Sequence, residues 1–185
     1  MPTHAEKRCM PYTPQQLFDM VADIESYPQF LPWCTAARIR KREGNVVWAD
    51  LMIGFKLVRE RFTSRVEMVR PDRINVAYSE GPFKYLNNHW VFEPLDDGTT
   101  LIDFYVDFEF HSKVLQKIIG ALFNEAVKLM VSAFQKRALH LYGPDGREMA
   151  SAGKASESAP PEATPAPPVV RRAPMVRSRL RQGRS

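Results

Sequence analysis

The chain has 185 residues, which is enough for one ordinary domain and a terminal extension, and 44% of them are hydrophobic, which is enough for a core. No stretch approaches the roughly 18 consecutive apolar residues of a membrane-spanning helix, and the N-terminus lacks the apolar region of a secretory signal. The two cysteines, Cys9 and Cys34, do not have metal-binding spacing, so we expect reduced thiols in a cytoplasmic protein.

The net charge of +5 is unevenly distributed along the chain. Residues 144–185 contain eight of the 26 Lys and Arg residues but only four of the 21 Asp and Glu residues, so residues 1–143 are nearly neutral. The extension is rich in Ala, Ser, Pro and Glu, has no aromatic residue, and ends in an arginine cluster. We therefore predict a folded domain, 1–143, and a disordered tail, 144–185. The arginine cluster is either a solvated terminus or a site for anionic lipid or RNA.

The first predicted elements are a strand and a helix. Residues 3–10 alternate loosely between apolar and polar side chains, which is typical of a strand. Thr13, Pro14 and Gln16 have the pattern of a capping box with proline at the first helical position. Apolar residues follow at helical spacing, so the pattern predicts an amphipathic helix.

The segment "YPQFLPWC", residues 27–34, is the most apolar irregular part of the chain. Its two prolines exclude a long helix, and we expect at most one helical turn between Ser26 and Phe30. Loops are usually polar because their backbone faces water, and this one contains three aromatic residues and no charge. It is therefore either a plug at the end of the core or a lid over an apolar ligand.

About six antiparallel strands are predicted between residues 38 and 110, separated by turns such as "EGN" and "PLDDGTT". The last of them, "LIDFYVDFEF", alternates strictly, which indicates one face on a core and one on solvent. Ser112 is the predicted cap of a helix that ends near Tyr142 and is roughly 45 Å long at 1.5 Å per residue. Its apolar residues form two adjacent stripes, so the helix needs a large apolar partner, for which a curved sheet is suitable.

This order of elements resembles the helix-grip fold of the START-like (polyketide cyclase/lipid transport) superfamily. The segments "LFDMVADIESYPQFLPWC", "GFKLVRERFTSRV", "GPFKYLNNHWVF" and "VDFEFHSKVLQ" resemble one family in particular. It contains the mitochondrial coenzyme Q-binding proteins and the bacterial ribosome association toxin (RatA-type) proteins. The resemblance covers roughly residues 3–143. It implies an α+β fold in which a curved antiparallel sheet of six to seven strands wraps around a long C-terminal helix and leaves an internal hydrophobic cavity.

The coenzyme Q-binding branch implies a function without catalysis, cofactor or metal. The expected role is to bind ubiquinone or a related isoprenoid lipid and to deliver it at the inner-membrane surface, in support of respiration and ubiquinone biosynthesis. Residues of the irregular segment and inward-facing residues of the strands and the last helix are the candidates for the cavity or its lid. They are Tyr27, Phe30, Leu31, Trp33, Phe55, Glu60, Phe62, Phe83, Leu86, Trp90, Phe108, Leu122 and Met130.

An enzymatic function is the less favoured alternative, since polyketide cyclases share this architecture and a fold alone does not define a function. Catalysis would need a polar group in the cavity, and Glu60 has the same strand phase as Phe62. A bulge that turns Glu60 outward, or an ion pair with a neighbouring arginine, would exclude that role.

A third hypothesis places the working surface on the outside of the domain. RatA-type relatives are described as binding the large ribosomal subunit and blocking subunit association. Basic residues are densest in two segments, one at 38–42 and one containing Arg59, Arg61 and Arg65. Such residues either contact RNA phosphates or are ordinary solvated positions on strands, and the sequence leaves both open.

Overall fold

The computed structural model describes residues 2–55, 58–144 and 146, and it includes no side-chain description for residues 55 and 58. Seven strands, two α-helices and one 3₁₀ helix follow one another along these residues. They are β1 (Thr3–Met10), α1 (Pro14–Ala22), the 3₁₀ helix (Ile24–Gln29), β2 (Cys34–Glu43), β3 (Val46–Phe55), β4 (Val58–Val69), β5 (Arg73–Glu80), β6 (Phe83–Pro94), β7 (Thr100–Phe110) and α2 (Lys113–Tyr142).

The predicted capping box at the start of α1 is confirmed. The Thr13 side chain accepts a hydrogen bond from the backbone N–H of Gln16, and the Gln16 side chain accepts one from the backbone N–H of Thr13. These reciprocal bonds satisfy two donors that a helix start leaves without partners. Leu17 and Phe18 of α1 are buried in the main core.

The seven strands form one antiparallel sheet in the order β1-β7-β6-β5-β4-β3-β2, which confirms the predicted fold class. β2 starts at Cys34, before the predicted start near residue 38, because Cys34 already pairs with Ile53 of β3. The turn before β7 contains Gly98 at a φ of 82°, the left-handed conformation predicted for that turn. Residues 102, 104, 108 and 110 of β7 are buried, which confirms the core-facing phase of this strand.

Helix α2 crosses the concave face of the sheet and is tied to α1 at its C-terminal end. The Tyr12 hydroxyl donates to the carbonyl of Gly143 at 3.0 Å, and the Tyr142 hydroxyl donates to the carbonyl of Gln16 at 2.9 Å. The two tyrosine rings also contact each other, with centroids 5.8 Å apart. These contacts fix the end of α2 against the start of α1.

The two halves of α2 differ in burial. Three of its four buried residues, Ala133, Phe134 and Ala138, lie in the second half, and Val127 lies at the middle. In the first half Val114 is 70% exposed and Ile118 is 38% exposed. None of the described helices combines the length and the apolar character needed to cross a membrane.

The chain still contacts the domain at Gly146. The Gln16 side chain donates to the carbonyl of Gly146 at 3.0 Å. A Cβ atom at Gly146 would lie 2.8 Å from the ring of Tyr12, and the φ of 64° there favours glycine. The predicted disorder of the tail concerns mainly residues 147–185, which lie outside the described residues.

Candidate functional site

A cavity of about 250 Å³, partly open to solvent, lies between the concave face of the sheet and α2. Strands β3 to β7 supply one wall, α2 supplies the other, and the end of α1 with the segment after it supplies a third side. None of the described residues that line this cavity carries a charge. The wall includes Val21, Ile24, Leu51, Ile53, Val66, Ile74, Val76, Phe104, Val106, Phe110, Ile119, Phe123, Ala126, Val127 and Phe134.

Most of the residues proposed from the sequence also lie on this wall. They come from the irregular segment, from β4, β6 and β7, and from α2. The residues that the structure brings together are Tyr27, Leu31, Trp33, Phe62, Phe83, Leu86, Trp90, Phe108, Leu122 and Met130.

Aromatic side chains form two groups along the cavity. In the first, the ring of Phe134 from α2 lies 5.2 Å from Trp90 and 5.7 Å from Tyr27, measured between centroids. In the second, the ring of Phe108 lies 5.8 Å from Phe83 and 5.4 Å from Phe123 of α2. Edge-to-face pairs of this kind hold large rings in fixed positions, so they define the shape of the space between sheet and helix.

The segment "YPQFLPWC" is held in the wall by hydrogen bonds. The Tyr27 hydroxyl donates to the carbonyl of Val21 at 2.6 Å, and burial is the main cause that raises the pKa of this phenol. The backbone N–H of Leu31 donates to the carbonyl of Tyr27, and that of Gly54 in β3 donates to the carbonyl of Trp33, both at 2.8 Å. The segment therefore joins α1 to the end of the sheet.

Phe30, which was proposed for the cavity or its lid, does not line the cavity. Its ring packs at 5.2 Å from Phe134, and the guanidinium of Arg137 lies 5.3 Å from its centroid. Phe30 caps the 3₁₀ helix and lines a separate pocket with residues of α2.

Glu60 is a second proposed residue that does not line the cavity. It pairs with Ile53 near the β3–β4 turn, where it is only half-buried, and it is not among the residues that line the cavity. Glu60 has the strand phase of Phe62, and its cross-strand partner Ile53 lines the cavity, but Glu60 itself does not. The prediction for the Phe55 side chain lies outside the described residues.

Two polar residues of the wall were not proposed from the sequence, Ser64 and Asn88. The Asn88 amide donates to the carbonyl of Tyr105 at 3.0 Å and accepts from the Trp90 indole at 3.1 Å. Ser64 has the strand phase of Phe62, and Asn88 has that of Leu86 and Trp90. The alternation of inward and outward side chains along β4 and β6 was therefore enough to predict that Ser64 and Asn88 face the cavity side of the sheet.

The wall of the cavity offers shape and apolar surface rather than reactive groups. Tyr27 is the only described wall residue with a titratable side chain, and burial raises its pKa further above neutral pH. Within the described ranges no group of three or more His, Cys, Asp or Glu side chains converges on a possible metal position. The arrangement is thus suited to holding an apolar molecule.

The opposite, outward face of the sheet carries a second candidate surface around Asp50. This carboxylate is 5% exposed and accepts hydrogen bonds from Arg38 and Arg61 at 2.9 Å and from Thr63 at 2.7 Å. Arg40 lies 3.7 Å from it. Burial alone would raise the pKa of Asp50, but these hydrogen bonds and the charge of Arg40 lower it to about 2. We call these five residues the Asp50 cluster.

The Asp50 cluster unites the two basic segments that the sequence presents separately. Arg38 and Arg40 belong to β2, Arg61 belongs to β4, and Asp50 lies between them on β3. The three arginine side chains remain 43–64% exposed. The outward face therefore presents several guanidinium groups held by one buried carboxylate.

Comparison with known proteins agrees with this architecture. The family model described as polyketide cyclase/dehydrase and lipid transport matches residues 10–135. A ribosome association toxin RatA from Rickettsia prowazekii is 43% identical over 135 residues, which is 71% of this chain and 92% of that protein. A mitochondrial coenzyme Q-binding protein COQ10 homolog B from Xenopus laevis is 32% identical over 155 residues, 82% of this chain and 64% of that protein.

Among solved structures, the solution structure of an 18 kDa protein from Caulobacter crescentus is similar at 37% identity. The match has a TM-score of 0.64 and covers 77% of this chain and 99% of that one. Both this likeness and the family model extend over the cavity-forming elements. The chain therefore belongs to the polyketide cyclase/dehydrase and lipid transport family, in the group that contains RatA-type toxins and coenzyme Q-binding proteins.

Proposed function

We propose that this protein binds an isoprenoid quinone, ubiquinone or a close relative, in the cavity and carries it without changing it chemically. The observation that carries the proposal is the apolar, uncharged cavity of about 250 Å³ enclosed by sheet and helix. The similarity to a protein named for coenzyme Q binding supports the choice of ligand.

The free energy for such binding comes from removing apolar surface from water. Each buried CH₂ group contributes roughly 0.8 kcal/mol, so one five-carbon isoprene unit contributes roughly 4 kcal/mol before the costs of association. An apolar cavity of about 150 Å³ holds a benzene molecule. The cavity of about 250 Å³ therefore has room for a substituted ring and a short piece of tail, and the rest of a long tail lies outside it.

A cavity-filling variant tests this function with little loss of other contacts. Ala126 lines the cavity on α2, so Ala126→Phe places a ring in the binding space. Leu139 lies on the same helix, is 51% exposed and does not line the cavity, so Leu139→Phe is the matched control.

Each protein would be titrated with decylubiquinone, and its lipid extract would be analysed by mass spectrometry. We expect wild type and Leu139→Phe to bind the quinone and Ala126→Phe to bind at least tenfold more weakly. A folded Ala126→Phe protein with wild-type affinity would show that the quinone binds elsewhere or not at all.

A second candidate function is association with the large ribosomal subunit, and the Asp50 cluster is the observation that favours it. Guanidinium groups fit phosphate oxygens in pairs, and Asp50 holds Arg38 and Arg61 in place for such contacts. Nearby on the same face, the ammonium of Lys41 lies 5.0 Å from the ring centroid of Trp48. The similarity to proteins named ribosome association toxin supports this candidate.

Co-sedimentation with isolated large subunits tests the second candidate. Arg38→Ala combined with Arg61→Ala should weaken association and reduce its dependence on salt, because two phosphate contacts are lost. Ala126→Phe is the control that leaves this surface unchanged. If the double variant sediments with subunits as wild type does, the Asp50 cluster is not the contact surface.

A further inference from the structure

Three buried side-chain polar atoms among the described residues have no hydrogen-bond partner. They are Trp33 Nε1, Ser64 Oγ and Asp107 Oδ1. Asp107 alternates with the inward residues of β7 and lies on the outward face, but Trp33 and Ser64 both line the cavity. Two of the three unpartnered polar atoms therefore belong to residues of the cavity wall.

Ser64 is the better defined of the two. It is 1% exposed and lies on β4 between Phe62 and Val66, which also line the cavity. Its neighbours across the sheet are Ala49 of β3 and Tyr78 of β5. Buried hydroxyl groups in proteins are nearly always hydrogen-bonded, because leaving one without a partner is unfavourable. The position therefore has an unmet hydrogen bond that a molecule in the cavity can supply.

We propose that Ser64 and Trp33 select a ligand that carries oxygen acceptors on its ring, and that this ring enters the cavity ahead of the tail. The Ser64 hydroxyl donates a hydrogen bond to a ring carbonyl oxygen, and the Trp33 indole N–H donates to a second oxygen of the ring. This inference rests on the proposed function and specifies which end of the lipid the cavity holds.

The chemistry of the two groups supports an acceptor-bearing ring. An indole N–H is a donor only, and a hydroxyl group donates as well as accepts, so the common partner is an oxygen with free lone pairs. The carbonyl and ether oxygens of a quinone ring meet this requirement, and a hydrocarbon tail does not. The size of the cavity agrees, since about 250 Å³ is more than a single ring needs and less than a long tail needs.

The test compares two ligands that share a tail and differ in the ring. Decylubiquinone carries ring oxygens, and decylbenzene carries none. Both would be titrated into wild type, Ser64→Ala and Ser64→Thr. Val76→Ala is a further control, because it increases the volume of the same cavity without removing a polar group.

We expect Ser64→Ala to weaken decylubiquinone binding about two- to tenfold, as the loss of one net hydrogen bond predicts, and to leave decylbenzene unchanged. Ser64→Thr should retain the preference for the quinone, and Val76→Ala should weaken both ligands alike. The chain has three tryptophans, so a ¹⁵N-indole spectrum resolves Trp33 after assignment with Trp33→Phe. Its N–H signal should move downfield with decylubiquinone and not with decylbenzene.

Two results would overturn this inference and separate it from the proposed function. If wild type binds both ligands equally, or if Ser64→Ala keeps the full preference for the quinone, the cavity binds the lipid without Ser64 recognising the ring oxygens. A static Trp33 signal on quinone binding would remove Trp33 from the site. If neither ligand binds to any variant, the proposed function fails, and the inference fails with it.

Discussion

Replacing Asp50 with asparagine should destabilise the domain substantially, although Asp50 lies on the face away from the cavity. The change keeps the size of the side chain and removes the charge that the arginines of the Asp50 cluster share. The pKa of Asp50 is lowered from 3.8 to about 2, and each pKa unit corresponds to about 1.4 kcal/mol of preference for the ionised form in the folded state. The expected loss at neutral pH is therefore about 2 kcal/mol, or about 4–8 °C in Tm for a chain of this length.

The pH dependence gives this prediction its distinctive form. Because the folded-state pKa lies below the unfolded value, the stabilisation is fully present above pH 3.8 and is lost as the pH falls toward 2. At pH 3 the difference between wild type and Asp50→Asn should have fallen to about half its value at pH 7. Urea unfolding at a series of pH values would measure it.

A matched control separates the buried carboxylate from an ordinary ion pair. Asp103 lies 3.1 Å from Lys7 and is 28% exposed, so Asp103→Asn should cost no more than about 1 kcal/mol. The reasoning is refuted if the two variants lose the same stability at pH 7. It is also refuted if the Asp50→Asn deficit stays constant down to pH 2.5.

Three further predictions concern the cavity, the end of the domain and the thiols. Trp90→Ala should remove bound quinone from the purified protein and lower the free energy of unfolding by about 3 kcal/mol. A folded variant that keeps the quinone would exclude Trp90 from the site. Truncation after Gly146 should leave Tm unchanged. Truncation after Gly143 should lower Tm by a few degrees, because the contact between Gly146 and Gln16 is lost. Equal Tm values for the two truncated proteins would show that this contact is unimportant. Burial raises the pKa of the Cys34 thiol to about 11, so at pH 7 a thiol reagent should modify exposed Cys9 first, and equal rates would contradict this.

The sequence was a good guide wherever one periodicity determined the position of a side chain. The strict alternation of β7 predicted that Phe108 faces the core, and the helical stripes placed Leu122 and Met130 on the side of α2 that lines the cavity. Alternation was less informative at the end of a strand. Glu60 follows the inward phase of β4 and pairs with the cavity-lining Ile53, yet it does not line the cavity itself, so the phase alone did not predict its surroundings.

Contacts between distant segments were not accessible from the sequence. No sequence pattern in β3 indicated that Asp50 binds several arginines. Its hydrogen bonds depend on the strand register, which places Arg38 and Thr63 beside it on the neighbouring strands. Phe30, which does not line the cavity, lies in an irregular segment that has no period from which the direction of a side chain can be predicted. Its side chain follows the local geometry of the 3₁₀ helix end.

The unequal burial of α2 has a consequence for the way the proposed lipid would enter the domain. The C-terminal end of α2 is held by the hydroxyl groups of Tyr12 and Tyr142, whereas in the first half Val114 is 70% exposed and Gly120 faces open space. We therefore expect the cavity to widen by a tilt of the first half of α2 while the second half stays in place. Amide hydrogen exchange should then be fast in residues 113–124 and slow in residues 130–142, since local opening follows local burial.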